Sequence, residues 1–328
     1  MLSRRSCTTN LLAMALPLPL GAETPGSGPA VADETWIDTA RQRELPVRLR
    51  WPDAARFAGP RPVVLFSHGL GGTREGGSVW GAAWADAGFV VLHLQHAGSD
   101  LAAVRATATS FADRSGLRAS ASAEQLVARL RDVGFALDEV RRRHAAGLGR
   151  WATVRPARIG MSGHSFGAHT TLGMAGQRYP GFDGVSETRL ASFIAFSPTL
   201  PVAGDAQRAF ERMARPLLCV TGTRDQDVLG TGATPDRRAG VFAALPKGDK
   251  GQLVLQDADH MSFGGQTGRA VEIVPREQIT RDLQPAHHAL VASITTDWWR
   301  ATLSADTAAR TRLAAPAGLR PGDVWQQK

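Results

Sequence analysis

Six short apolar runs divide this chain: RPVVLFSHG (61–69), GFVVLHLQH (88–96), ARIGMSGHS (157–165), ASFIAFSP (191–198), RPLLCVTG (215–222) and GQLVLQDADH (251–260). Short continuous apolar runs that stop at Gly, Ser, His or Asp are the mark of parallel strands buried on both faces. Between them lie the helical stretches SVWGAAWADAG, SAEQLVARLRDVGFALDEVRRRHA, SFGAHTTLGMAGQR and DRRAGVFAALP, and AHHALVASITTDWWRATL closes the series. Strands alternating with helices predict an α/β architecture, a mostly parallel central sheet with helices on both faces. Ahead of the series, ETWIDTARQRELPVRLRWP (34–52) alternates apolar with polar residues and predicts one or two exposed antiparallel strands. Ligands of such sheets bind at the carboxyl ends of the strands, and the polar residues of this sequence gather there. Segments 97–122 and 262–284 lack clear periodicity and read as loops or short helices rimming the site. There is no internal repeat and no second strand–helix system, so residues 36–328 are expected to form one domain.

The first residues place Arg4 and Arg5 before an apolar run, Leu11 to Leu20, that ends in small residues. This is the layout of a secretory signal, expected to span residues 1–22, with a Gly/Pro/Ala-rich linker over 23–35. Pro17 and Pro19 interrupt the run, which is too short for a permanent membrane span. No stable membrane insertion is expected, and the mature protein is expected to be exported, periplasmic or secreted from a bacterium. Of the two cysteines, Cys7 leaves with the signal, and Cys219 in the run LLCV reads as a small buried hydrophobe. The full chain carries a formal charge of +8, and loss of the two arginines leaves +6. The positive charges are scattered among acids, as in RLRDVGFALDEVRRR, and do not form the basic, aromatic-lined face of a nucleic-acid binder.

The strongest local motif is Gly163-His164-Ser165-Phe166-Gly167, which follows an apolar strand and opens a helical pattern. That is the context of a nucleophile elbow, the sharp strand-to-helix turn of the α/β-hydrolase fold that lifts a serine hydroxyl above the sheet. Glycines on either side remove side chains that would clash across the turn. A second motif, SHGLGG (67–72), follows the strand VVLF and supplies a backbone able to turn its amides inward. It reads as an oxyanion loop, with the backbone N–H groups of Leu70 and Phe166 as donors.

A serine hydroxyl needs a histidine to take its proton and a carboxylate to hold that histidine's tautomer. In this fold the chain order is Ser, acid, His. Asp225 closes the turn after LLCVTG and His260 closes the turn after LVLQDA, each just past an apolar strand, so Ser165, Asp225 and His260 are the expected catalytic residues. Asp227 is the nearest rival for the acid, and Asp257 and Asp259 are closer to His260 in sequence. Among the other histidines, His96 flanks a strand end and can touch the site, and His164 is expected to pack against neighbouring strands. His169 lies one helical turn past Ser165, and His287 and His288 lie within the last amphipathic helix. No HExxH, paired cysteines or carboxylate cluster with ligand spacing is present, so neither a metal nor a cofactor is expected.

Together, FSHGLGG and GHSFGAH resemble the platelet-activating-factor acetylhydrolases and their bacterial relatives labelled predicted dienelactone hydrolases, over residues from about Trp36 to Trp299. The resemblance implies lipase-like ester hydrolysis without a cofactor and oxyanion donors at Leu70 and Phe166. It departs from the family in two places. Eukaryotic members place their acid after the strand that follows the nucleophile helix, where this chain reads Phe196-Ser197-Pro198-Thr199, so the acid moves to Asp225. True dienelactone hydrolases use cysteine, and this elbow holds serine.

The expected substrate is a small-molecule or lipid-like ester with a short acyl group. The alternatives are a catalytically inactive hydrolase fold serving as a binding protein, an acyl transferase using the same residues, or a hydrolase of polyesters or aromatic diesters. Trp80, Trp84, Phe263, Trp298 and Trp299 are apolar candidates for an acyl pocket, against the commoner role of such residues in a core. Nothing in the sequence speaks to oligomeric state.

Overall fold

The computed structural model describes residues 30–108, 113–268 and 274–328. In chain order the elements are β1 (Ala30–Asp38), β2 (Arg43–Trp51), β3 (Arg61–Ser67), α1 (Ser78–Asp86), β4 (Val90–Leu94), α2 (Leu101–Thr107), α3 (Arg114–Ala119) and α4 (Ala123–Ala145). There follow β5 (Val154–His164), α5 (Phe166–Met174), β6 (Leu190–Phe196), α6 (Ala206–Phe210), β7 (Leu217–Arg224), α7 (Pro235–Ala244), β8 (Lys250–Asp259), α8 (Gln278–Leu303), α9 (Thr307–Ala314) and β9 (Val324–Gln327). The nine described strands form one sheet in the order β1-β2-β4-β3-β5-β6-β7-β8-β9. Pairing is parallel from β4 through β8 and antiparallel at β1–β2, β2–β4 and β8–β9. This is the α/β-hydrolase arrangement.

All six apolar runs are parallel strands, because their residues alternate between two cores. In β3, Val63 and Leu65 join one core while Val64 and Phe66 join the other. β6 does the same with Phe193 and Ala195 against Ile194 and Phe196. The first core is closed by α4 and α5, the second by α1, α8 and α9. α4 begins where Ser122 accepts from the Gln125 N–H and carries Glu124 in its first turn and Arg142, Arg143 and His144 in its last, a charge order that suits the helix dipole.

Two expectations, the extent of the linker and the close of the chain, need correction. The linker was expected to run to residue 35, but β1 begins at Ala30, since Ala30 to Asp33 pair with Trp51 to Arg48. The rest of that linker and the expected signal lie outside the described residues. The chain does not close on α8; α9 follows it, and β9 adds an antiparallel strand against β8. The sequence VWQQ is too short and too polar to read as a strand, and edge pairing alone makes it one. The five candidates for an acyl pocket are core residues, none more than 3% exposed. The indole N–H groups of Trp80, Trp84 and Trp298 donate to Phe263 O, Thr295 Oγ1 and Ser192 Oγ, so these rings are buried with partners. Cys219 is buried and unbonded, its thiol pushed up to about 12 by burial, as expected of a small core residue. Among the described residues no helix is long and apolar enough to cross a membrane.

Trp84 packs edge-on against Trp299 with ring centres 5.8 Å apart and joins α1 to α8. Trp84→Ala is expected to cost about 3–5 kcal/mol of unfolding free energy, read from urea denaturation, because it empties this contact and removes the donor to Thr295 Oγ1, which keeps its own bond to Val291 O.

Candidate active site

The site lies across the carboxyl ends of neighbouring strands. The loop from His68 to Gly72 follows β3, Ser165 follows β5, Asp225 follows β7 and His260 follows β8. Ser165 has φ 57° and ψ −114°, a conformation that costs a non-glycine residue about 1–3 kcal/mol and persists only where its surroundings impose it. Here those surroundings are backbone. A Cβ at Gly163 would stand 2.3 Å from Gly167 O, and one at Gly167 only 1.9 Å from Ser67 O. No other residue type fits either position, which is why the sequence must read Gly-x-Ser-x-Gly where β3, β5 and α5 converge.

Ser165 Oγ lies 2.9 Å from His260 Nε2, and His260 Nδ1 lies 2.7 Å from Asp225 Oδ1. Asp225 is fully buried, and its other oxygen accepts from Thr221 Oγ1 at 2.8 Å. Burial alone would raise its pKa, but the Arg238 and His260 charges and its hydrogen bonds win and hold it at about 2. An ionised carboxylate only accepts, so His260 Nδ1 carries the proton and Nε2 offers its lone pair to the serine hydroxyl. Asp227 does not approach His260; it accepts from the N–H groups of Leu229 and Ala233 and shapes its own loop. Asp257 pairs with Arg224 at 2.7 Å, and Asp259 pairs with Arg276 at 2.6 Å and caps the 3-10 turn at Ser262.

Phe166 is the first residue of α5, so its N–H has no acceptor within the helix. Leu70 follows Gly69, where an added Cβ would stand 3.4 Å from Ser165 Cβ. The expected oxyanion loop and the first residue of α5 thus both adjoin Ser165. A cavity of about 190 Å³ opens beside His260, lined among others by Arg224, Asp259, Met261 and Arg276. Its cations are matched, Arg224 by Asp257 and Glu277 and Arg276 by Asp259. Among the described residues no group of three or more His, Cys, Asp or Glu is placed to hold a metal ion.

Several residues around the site carry roles that strand and motif reading did not find. His164 donates from Nε2 to His260 O at 2.9 Å and so holds the backbone of the histidine itself. Arg238 donates to Ser197 O at 2.6 Å, and its Nε lies 2.9 Å from Asp225 O and from Asp225 Oδ1. His96 does not touch Ser165; it is fully buried between Ser67 Oγ (2.9 Å) and Asp132 Oδ2 (3.0 Å). That second Ser–His–Asp chain is closed to any substrate, since all three side chains are 0% exposed. Asp132 in turn binds Arg41 and Arg43, tying β2 to α4. A signal for some of these was present: Arg129 and Arg238 fall on the apolar stripes of α4 and α7, with Leu126, Leu130 and Val133 and with Val241 and Phe242. A charge on a buried stripe marks a polar network beneath a sheet end.

Residues 42–135 match the family described as Platelet-activating factor acetylhydrolase, isoform II. The chain resembles that family. The match, under a third of the chain, runs from β2 into α4 and takes in the Gly69–Gly72 loop and Arg129; together with the fold it supports membership among acetylhydrolase-like α/β-hydrolases and a lipase- or esterase-type hydrolase in general. No curated protein matches the chain. The stretch similar to the acetylhydrolases stops short of Ser165, Asp225 and His260, so their reading rests on geometry.

Four histidines at or near the carboxyl ends of β3, β4 and β5 are buried. Burial drives His93 to about 3 and His96 to about 4, and pushes His68 and His164 well below the ordinary histidine range. Folding therefore favours their neutral forms, and the unfolded chain binds more protons below about pH 6.5. Stability is greatest above that pH and falls as pH drops toward the folded-state values, by about 1.4 kcal/mol per pH unit for each such proton. The melting temperature is expected to fall steeply between about pH 6.5 and 5; a flat calorimetric profile over that interval would contradict neutral burial.

Proposed function

We propose that this chain is a serine carboxylic ester hydrolase acting through an acyl-enzyme. The observation that carries the reading is the continuous hydrogen-bonded chain from Ser165 Oγ through His260 to Asp225, set on a strained elbow beside a glycine-rich loop. In the acylation step His260 Nε2 takes the hydroxyl proton as Ser165 Oγ attacks the ester carbonyl. Charge then develops on the carbonyl oxygen, where the N–H groups of Leu70 and Phe166 receive it. Collapse breaks the bond to the alkoxy oxygen, and the His260 imidazolium returns its proton to the departing alcohol. Water repeats the sequence on the acyl-enzyme with His260 as base, releasing a carboxylic acid and free Ser165. Asp225 keeps the ring in the productive tautomer and stabilises the imidazolium.

The substrate class proposed is a small-molecule or lipid-like ester with a small acyl group. Matched charges around the cavity beside His260 support an uncharged leaving group. The protein is proposed to act after export, in the periplasm or outside the cell, on the strength of the charged, then apolar, then small-residue order of its first residues.

A fluorophosphonate probe is expected to label Ser165, and Ser165→Ala is expected to abolish both labelling and turnover, a loss on the order of a million-fold for a comparable triad. An inactive binding protein would label in neither form, and near-normal turnover by a clean Ser165→Ala preparation would sink the mechanism.

Asp225→Asn should keep the fold, checked by circular dichroism, and lower turnover by up to about ten-thousand-fold by favouring the wrong tautomer. Asp227→Asn should change turnover by no more than about three-fold, since its bonds stay within its own loop. The reverse ranking would move the acid to Asp227.

A further inference from the structure

Beneath the loop after β3 lies a buried polar cluster that takes no part in the proton transfers described above. His68 is 1% exposed. Its Nδ1–H donates to Gly69 O at 2.6 Å while Nε2 accepts the His96 backbone N–H at 3.0 Å, so the two bonds select one neutral tautomer. The same Gly69 oxygen accepts from the Gly72 N–H at 3.1 Å. Gly72 also makes room for the ring, because a Cβ there would stand 2.9 Å from His68 Nδ1. Arg129 is fully buried and donates to His68 O at 2.7 Å and to Ser99 Oγ at 2.8 Å. Its guanidinium also lies 4.3 Å from the centre of the Phe166 ring.

Bonds to a peptide oxygen act on the far side of the same peptide. The Gly69–Leu70 bond is trans, as no cis peptide occurs among the described residues, so fixing Gly69 O fixes the Leu70 N–H in the opposite direction. Donors on that oxygen also polarise the amide and strengthen its N–H. We propose that His68 and Arg129 are positioning residues for the oxyanion donors. His68, by donating to Gly69 O, aims the Leu70 N–H at the oxygen that becomes charged in the tetrahedral intermediate. Arg129, by holding His68 O on one side and the Phe166 ring on the other, sets the separation between the two donors. Neither side chain touches substrate, and the proposal rests on the serine-esterase reading above. Donors aimed at a developing charge matter in the transition state, so their misplacement lowers kcat more than it raises KM.

The test is steady-state kinetics on p-nitrophenyl acetate with the full chain, each variant checked by circular dichroism and melting. Removing an oxyanion donor costs roughly 100–1,000-fold in kcat, and misaiming one costs less, so His68→Leu and Arg129→Met are each expected to lower kcat roughly 10–100-fold with KM changed by less than about three-fold. His68→Asn, whose side-chain N–H can replace Nδ1–H, is expected to recover most of the loss, which a purely structural role for the ring does not predict. Should both larger changes prevent folding, Ser99→Ala decides. It removes one anchor of Arg129, and a several-fold fall in kcat at constant KM supports the proposal, while an unchanged kcat overturns it. Folded His68→Leu with wild-type kcat, or a loss confined to KM, also overturns it. A wild-type protein that neither hydrolyses the ester nor labels with fluorophosphonate removes the esterase reading and this proposal with it, an outcome distinct from an active wild type with unaffected variants.

Discussion

Everything in the site depends on one crowded contact, where Gly167 at the start of α5 meets Ser67 O at the end of β3 with no room for a single carbon between them. That contact forces α5 to start immediately above the sheet, and it leaves Ser165 with no conformation but the strained one. The strain is held because β5 is paired on both sides, with β3 and β6, over residues 159–163, directly ahead of the turn. A serine held this way has its backbone position beside His260 set by packing at Gly163 and Gly167.

The layer under that contact is a buried polar cluster set between the two apolar cores. His68, His96, Ser67, Arg129 and Asp132 form a linked set, every member at most 1% exposed. Desolvating five polar groups is costly unless each is bonded, and a partly bonded set is worse than an apolar one. Here Asp132 meets the buried charge with Arg41 and Arg43 as well as His96, so α4, β2 and the loop after β3 are fastened together. The consequence is rigidity at the loop that borders Ser165, and a fold that weakens as its histidines are protonated.

The position of Asp225 follows the same logic. Ser197, after β6, stands where a carboxylate would come first in this strand order, and it has φ 56°. Its carbonyl instead accepts from Arg238, which also reaches Asp225. With a cation already committed at that point, a carboxylate one strand further over is paired, held ionised and still within 2.7 Å of His260.

The sequence by itself determined the six parallel strands and the stretch that makes the elbow. Apolar runs of strand length that alternate with helical stretches fit strands buried on both faces of a sheet, and Gly-x-Ser-x-Gly after such a run has few backbone solutions. It also narrowed Ser165, Asp225 and His260 to the ends of three strands, because each is a polar residue just past an apolar run. Only the tertiary structure decided that β9 pairs at the edge, that Trp80, Trp84, Phe263, Trp298 and Trp299 fill the core, and that His96 faces away from Ser165 toward Asp132. Turn position in the sequence already favoured Asp225 over Asp227, and the structure sets Asp225 against His260 while Asp227, two residues on in the chain, bonds within its own loop. Local pattern reports whether a residue prefers burial; which side chains then meet depends on strand order and helix placement, and these arise from contacts between residues far apart in sequence.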